Sequence, residues 1–329
     1  MNLNNKKILI TGGTGSWGQE LTKQLLEKFN VDKITIFSRN ENAQVLMRRK
    51  FTSSKLKFII GDVRDLNSLL KASKNADIIF HLAALKHVPL SEEFPDQFIQ
   101  TNIIGTQNVR DAAIENNVKK VILISTDKAC SPTNLYGYTK SIAEKIIIQA
   151  NCLTNSTSFV CIRGGNALGS NGSVVPLFID QIKKNNKLTI TDDKMTRFFL
   201  TLQEAVNLIF SATENSKGGE IFVMRMPAFK IKDIAELIIE TYGDKDNSVE
   251  IIGMKAGEKI HEVLISEHES RLAFNFDKDY IFITSQLEIE NMKNFDFSNF
   301  SKFDKQLFSS EETQSKEKLK EFLQKGGFL

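Results

Sequence analysis

Short apolar runs recur along the first half of the chain: KKILIT (6–11), DKITIF (32–37), LKFII (56–60), DIIFHL (77–82), KKVILIS (119–125) and SFVCIR (158–163). Each carries Ile, Val, Leu or Phe on successive residues, the pattern of strands buried on both faces of a parallel sheet. Between them lie longer stretches with apolar residues at helical spacing, such as GQELTKQLLEKF (18–29) and NLYGYTKSIAEKIIIQAN (134–151). Repeated strand-helix alternation predicts a doubly wound, parallel α/β sheet with right-handed crossovers. After about residue 165 the alternation loosens into the polar, glycine-containing GGNALGSNGSVVP (164–176) and mixed short elements. The expected organisation is a main unit over 1–165 and a smaller mixed α/β unit over 166–285 that covers the substrate. A strand at GGEIFVMR (218–225) would rejoin the main sheet, and a polar tail over 286–329 would hold one helix near SKEKLKEFLQK (315–325), its charges forming a solvated face. No internal repeat is visible.

Composition changes this picture little. The 329 residues suffice for a large buried core, and 41% hydrophobic with 25% charged residues is ordinary globular composition. A net charge of +3, from 43 basic and 40 acidic residues, lacks the footprint of a nucleic-acid protein. No apolar run approaches the roughly 18 residues of a membrane helix, and MNLNNKKILI lacks the apolar core and cleavage site of a signal peptide. A cytoplasmic protein, free of membrane and nucleic acid, is expected. Cys130, Cys152 and Cys161 have neither metal-ligand nor disulfide spacing, and no metal constellation is seen.

Chemistry enters with TGGTGSWG (11–18), directly after the first strand and opening the first helix. Gly13, Gly15 and Gly18 satisfy G-x-G-x-x-G, while Gly12, Gly15 and Gly18 give G-x-x-G-x-x-G. Either spacing lets the backbone turn tightly and approach a pyrophosphate at the helix N-terminus, the Rossmann arrangement for a dinucleotide. Trp17, within this loop, is bulky enough to be a packing residue. The second strand ends in Phe37-Ser38-Arg39-Asn40, which favours NADP over NAD because Arg39 can take a 2′-phosphate and Ser38 can hydrogen-bond it; Glu41 dilutes that reading. Asp62, beside Val63 in GDVRD, can meet an adenine amino group or simply cap a turn.

Ser125 ends the fifth strand, which places Thr126, Asp127 and Lys128 at the carboxyl edge of the sheet, where open α/β sheets bind ligands. Tyr136 and Lys140 are four apart on the next helix and share a face. A phenol titrates near 10, too high for a base at neutral pH, unless a neighbouring ammonium and a cationic nicotinamide favour the phenolate. Tyr136 could then take a hydroxyl proton as hydride leaves the same carbon. Tyr138 is the competing phenol but has no Lys at that spacing.

These residues resemble the extended short-chain dehydrogenase/reductase superfamily, and over nearly the whole chain they resemble its nucleotide-sugar 4,6-dehydratases, within them the inverting UDP-N-acetylglucosamine 4,6-dehydratases of bacterial surface-sugar synthesis. The matching stretches are TGGTGSWG, FSRNE, HLAALKHVPLSE, TNIIGTQNV, STDKA with PTNLYGYTK, RGGNALGSNGSVVPLF, MTRFFLTLQEAV, GGEIFVMRMP and AGEKIHEVLIS. The resemblance implies a Rossmann domain with a smaller C-terminal substrate domain, NADP held through turnover, a UDP-sugar substrate and a homo-oligomer. It assigns Tyr136 and Lys140 to oxidation at sugar carbon 4, Lys128 as base at carbon 5, and Asp127 as acid for water loss, with Thr126 beside them. Lys128 would have to be neutral to act, through desolvation or nearby positive charge, and Asp127 protonated.

The implied cofactor contacts are Gly12, Thr14, Gly15, Ser16, Trp17, Gly18, Ser38, Arg39, Asn40, Asp62 and Val63, then Ala83, Ala84, Lys86, Tyr136 and Lys140. The implied substrate contacts are Lys86, His87, Asn166, Ser173, Val174, Pro176, Arg197, Arg225 and Glu258, with Arg163 as a further arginine for a diphosphate. His87 and His261 could equally be structural. A nucleotide-sugar 4-epimerase is the alternative, since it needs only the oxidation pair; a non-catalytic NADP-sensing protein is a remoter one. The Asp127-Lys128 pair discriminates, because a 4-epimerase expels no water.

Overall fold

A computed structural model of the protein describes residues 2–170, 172–185, 187–244, 246–293 and 295–329. The apolar runs become β1 (Lys7–Thr11), β2 (Lys33–Ser38), β3 (Leu56–Ile60) and β4 (Ile78–His81), separated by α1 (Ser16–Lys28), α2 (Glu41–Lys50) and α3 (Leu66–Ser73). Two short helices, α4 (Val88–Glu93) and α5 (Pro95–Phe98), and a π-helical stretch (Ile99–Ile104) lead into α6 (Gly105–Glu115). Then come β5 (Lys120–Thr126), a 3-10 turn (Asp127–Ala129), α7 (Leu135–Ala150) and β6 (Ser158–Gly164).

Beyond β6 the elements shorten: β7 (Asn166–Ala167), α8 (Val174–Asn185), β8 (Lys187–Ile190), β9 (Thr196–Leu200), α9 (Leu202–Asn215), β10 (Ile221–Met224), β11 (Ala228–Lys230) and α10 (Ile231–Tyr242). They continue through β12 (Ser248–Ile251), β13 (Val263–Ile265), α11 (Glu267–Ser270), β14 (Ala273–Asn275), β15 (Tyr280–Ile283), α12 (Glu290–Lys293), β16 (Phe308–Ser309) and α13 (Lys316–Lys325).

The main sheet runs β14-β15-β10-β6-β5-β4-β1-β2-β3. From β3 to β10 all pairings are parallel, and β15 and β14 add an antiparallel edge. The fold is therefore the expected doubly wound α/β sheet. Its apolar strands are covered on both faces: Leu9, Ile79, Val121 and Val223 belong to one buried cluster, Ile8, Ile10, Ile122 and Phe222 to another. The chain reverses winding direction at β1, between β2 and β4, and the crevice above those carboxyl ends is where such sheets take ligands.

From the stretch 166–285, read in the sequence as a covering unit, β10, β14 and β15 enter the main sheet. The remainder builds around a third cluster, in which Phe178, Leu188, Phe199, Ile234 and Ile238 meet Leu319 and Leu323 of α13. The C-terminal stretch is thus more than a solvated face. Its Phe295, Phe297 and Phe300 pack with Phe274, Phe276 and Phe282 of the sheet region. Average polarity conceals these rings because they stand singly among charged and amide residues. Among the described residues no helix is long and apolar enough to cross a membrane.

Candidate functional site

The glycine turn resolves the choice between its two spacings. Gly12 has φ +67°, and a Cβ there would lie 2.7 Å from the Ala83 backbone, so a side chain is excluded by both conformation and space. At Gly18 a Cβ would stand 2.4 Å from the Gly13 carbonyl oxygen, so only glycine lets α1 begin so close to the turn. Gly15 differs: its Cβ would meet only the Gly12 oxygen, at 3.4 Å. Gly12, Gly15 and Gly18 line a cavity of about 690 Å³, whereas Gly13 faces Ile36 in the core. Gly15 caps α1 without a side-chain hydrogen bond, and the dipole at that helix N-terminus favours an anion.

Thr14, Ser16 and Trp17 continue the cavity wall, followed by Ser38, Arg39 and Asn40 at the end of β2, then Asp62 and Val63. Ser38 is steadied by Gln44, whose amide donates to its Oγ and carbonyl, both at 3.0 Å; the sequence reading missed Gln44. The Asn40 Oδ1 accepts from the Ala43 N–H and caps α2. Arg39 lies half-exposed, 3.9 Å from Asp62, while Arg64 engages the same carboxylate at 2.6 Å. Burial works against the charge of Asp62, but Arg64 and Arg39 outweigh it and hold the carboxyl below its ordinary range. Asp62 also accepts from the Arg64 N–H, so its turn-forming and wall-forming roles coexist.

β5 delivers Thr126 to the opposite wall, and α7 starts behind it with Asn134 as its cap, Oδ1 accepting from the Gly137 N–H at 2.8 Å. That start turns Tyr136 and Lys140 into the cavity, both under 10% exposed, and leaves Tyr138 half-exposed outside it. Lys140 Nζ donates to the Ile124 carbonyl at 2.7 Å, and burial pulls it down to about 8. Burial pushes the Tyr136 phenol up to about 12; Lys128 and a hydrogen bond with Thr126 pull the other way. The ammonium that acts on the phenol is therefore Lys128, where the sequence reading looked to Lys140, whose Nζ is turned to a strand carbonyl.

Asp127 is fully buried under this wall. Its Oδ1 accepts from Thr126 Oγ1 at 2.8 Å and from Lys128 Nζ at 3.0 Å, and its Oδ2 has no hydrogen-bond partner among the described residues. Lys128 departs from expectation. Burial does favour its neutral form, but Asp127 and Glu262 on either side outweigh burial and raise it above an ordinary lysine. Glu262, 3.6 Å from Lys128 Nζ, was not read from the sequence; it stands far along the chain in AGEKIHEV, where Glu258 drew the reading and no spacing ties Glu262 to Lys128. Ser125, Thr101 and Ser173 line the same cavity, and each has a buried hydroxyl without a partner among the described residues. Buried polar atoms are ordinarily satisfied, so such hydroxyls suit a polar ligand.

Of the remaining expected positions, Ala83, Ala84, Lys86 and His87 form the loop after β4, and Asn166, Ser173 and Val174 close the far side. Burial draws Lys86 below an ordinary lysine. Pro176, Arg197, Arg225 and Glu258 are not among the cavity's walls. Arg197 donates to the Thr196 and Ile260 carbonyls, Arg225 hydrogen-bonds the Asn275 amide oxygen and lies over the Phe303 ring, and Glu258 accepts from the Lys255 N–H. Arg163 cannot serve a diphosphate: it is buried and consumed by Glu144, Glu269 and the Leu264 carbonyl. His261 is hydrogen-bonded to Thr196 at 2.8 Å.

A doubly wound sheet, a glycine turn at its winding reversal and a Tyr-Lys pair in the facing wall define a Rossmann-type protein of the short-chain dehydrogenase/reductase kind. Residues 8–284 match the polysaccharide biosynthesis protein family, and the chain belongs to that family. It is 46% identical, over 84% of its length and 82% of the relative, to a UDP-N-acetylglucosamine 4,6-dehydratase (inverting) of Campylobacter jejuni. It is 43% identical to a UDP-glucose 4-epimerase of Rickettsia akari, over 80% of this chain and 79% of that one. The solved structure of Pen from Bacillus thuringiensis superimposes with a TM-score of 0.94 at 38% identity, covering all of both chains.

Proposed function

We propose that the protein is an NADP-dependent UDP-N-acetylglucosamine 4,6-dehydratase that inverts carbon 5. One observation carries this choice: Asp127 and Lys128 lie in ion-pair contact at 3.0 Å directly beside Tyr136. An epimerase needs only a proton acceptor for one hydroxyl. A dehydratase needs in addition a base for a carbon-bound proton and an acid for a departing hydroxyl.

The fit to a dinucleotide rests on the bare glycine turn at the start of α1 and the unpartnered Ser125 and Thr101 hydroxyls. Arg39 and Ser38 would hold a 2′-phosphate, and Lys140 the nicotinamide ribose. Bound there, the nicotinamide supplies the chemistry of taking hydride from sugar carbon 4 and returning it to carbon 6. Tyr136 takes the proton of the carbon 4 hydroxyl; burial pushes its phenol up to about 12, Lys128 and Thr126 pull the other way, and a cationic nicotinamide would add to that pull. The resulting ketone acidifies carbon 5. Lys128 Nζ then removes the carbon 5 proton, Asp127 protonates the carbon 6 oxygen, and water leaves. Reprotonation of carbon 5 on the opposite face completes the inversion.

The ion pair resolves an apparent conflict in this assignment. By the chain's own charges Lys128 is an ammonium, yet the base must be an amine. Moving one proton from Nζ to Oδ1 across their contact produces a neutral Lys128 and a protonated Asp127 together. No proton need be exchanged with solvent, and both states required for water loss appear in one step.

The relatives named as UDP-glucose 4-epimerases favour a second reading, reversible oxidation at carbon 4 alone. Incubation with UDP-N-acetylglucosamine and NADP separates the two. A 4-keto-6-deoxy sugar supports the dehydratase; the 4-epimer with its carbon 6 hydroxyl intact supports the alternative and removes Asp127 and Lys128 from their roles.

A further inference from the structure

Glu262 is a buried carboxylate whose surroundings are out of proportion to a structural role. Its side chain is 3% exposed, and its Oε1 lies 3.6 Å from Lys128 Nζ and 3.9 Å from Arg197 Nε. Its Oε2 lies 2.8 Å from Lys259 Nζ. The position is built from a distance. Glu262 N donates to Ser310 Oγ at 2.8 Å, and the Ser310 N–H returns a bond of 2.8 Å to the Glu262 carbonyl. Lys259 also donates to the carbonyls of Cys130 and Ser131, which ties the same cluster to the loop leaving the catalytic turn.

Four charged or titratable groups face Lys128: Asp127 from its own turn, Tyr136 from α7, Arg197 from β9 and Glu262 from the segment before β13. Asp127 is held by Thr126 and Lys128, and Arg197 is spent partly on backbone carbonyls. Glu262 is therefore the anion that grips Lys128 in addition to its proposed proton partner. We propose that Glu262 is a positioning residue for Lys128, fixing the ammonium beside Asp127 and keeping it protonated until the sugar is oxidised. Without that grip the long lysine side chain could lose its proton to water before the acid beside it had gained one. The paired generation of base and acid would then fail. This inference rests on the dehydratase reading for its meaning, although the grip itself is a property of the chain.

The test is the pH dependence of turnover in Glu262→Gln, which keeps the shape of the side chain and removes its charge. UDP-N-acetylglucosamine deuterated at carbon 5 marks proton removal through its isotope effect. Loss of an opposite charge within 4–6 Å moves a titration by about 1–3 pH units, so the alkaline limb, where Lys128 gives up its proton to solvent, should move to lower pH by that amount. Glu262→Asp, with the carboxylate drawn back, should move it less and in the same direction; it also decides the matter if the Gln variant does not fold. Acylation of Lys128 by an amine-selective reagent, read by peptide mass spectrometry, should show the same displacement without any turnover. A limb and a labelling midpoint unchanged from the unmodified protein would overturn the proposal, even if activity fell uniformly. Absence of a 4-keto-6-deoxy product from the unmodified protein, with the labelling displacement present, would sink the dehydratase reading and leave the grip standing.

Discussion

Replacing Arg163 by Met removes the guanidinium shared by Glu144 of α7 and Glu269 of α11. That guanidinium donates to Glu144 at 3.0 and 2.7 Å, to Glu269 at 2.9 and 2.7 Å, and to the Leu264 carbonyl at 2.9 Å. Burial would raise Glu269, but Arg163 foremost, with hydrogen bonds from the Ser266 N–H and hydroxyl, brings its carboxyl down to about 2 from an ordinary 4.5. At 1.36 kcal/mol per unit, that shift corresponds to about 3 kcal/mol. It agrees with the ~3–5 kcal/mol usual when one partner of a buried ion pair is removed. The sign follows from the depressed value: Glu269 contributes fully above about pH 4.5, and the contribution is lost as pH falls toward 2. Urea unfolding followed by circular dichroism should therefore show a loss of about 3 kcal/mol or more for Arg163→Met at pH 7. The gap should narrow on acidification, because the variant lacks the Arg163 share of that contribution and keeps only the Ser266 hydrogen bonds. A loss under ~1 kcal/mol at pH 7, within the usual range of surface pairs, would refute the buried-triad account. An Arg163 that bound diphosphate would instead raise KM and leave the urea midpoint in place.

The remaining expectations concern the cavity. Gly18→Ala sets a Cβ 2.4 Å from the Gly13 oxygen and should destroy dinucleotide binding in a protein that still unfolds cooperatively; the single tryptophan, Trp17, lies in the wall and its fluorescence reports the binding directly. Arg39→Ala should weaken NADP by roughly 10–100-fold while hardly changing NAD, from the ~1.5–3 kcal/mol of hydrogen bonds to a charged group; equal loss for both would remove Arg39 from the 2′-phosphate. Because burial brings Lys140 to about 8, its charge is lost as pH rises through that value, and dinucleotide affinity should weaken there. Lys140→Arg, which stays charged, should flatten that dependence in the same fluorescence titration.

Much of this was legible in the chain because it is local. Six apolar runs with intervening helices define the parallel sheet, and the glycine turn, Thr126–Lys128 and the Tyr136/Lys140 spacing each lie within a few residues of one another. What was illegible depends on partners far apart in sequence. Arg163 ends a strand at the ligand edge and so reads as a phosphate contact; only the folded chain brings Glu144 and Glu269 to it. Lys128 was expected to be neutral because a base must be, through desolvation or nearby positive charge, whereas in the fold Asp127 and then Glu262, which arrives from far along the chain, outweigh burial and raise it. The choice between the two glycine spacings likewise needed Ile36, which shows that Gly13 turns to the core. The phenylalanines near residue 300 were hidden by their polar neighbours, and their packing partners lie in β14, in β15 and between them.

Turnover of UDP-N-acetylglucosamine in heavy water, with the product followed by nuclear magnetic resonance, separates dehydration with inversion from simple epimerisation. The account predicts a 4-keto-6-deoxy sugar with inverted configuration at carbon 5, one solvent deuterium at that carbon, and none transferred from solvent to carbon 6. A product that keeps its original hydrogen at carbon 5, or a simple 4-epimer with the carbon 6 hydroxyl in place, would contradict it.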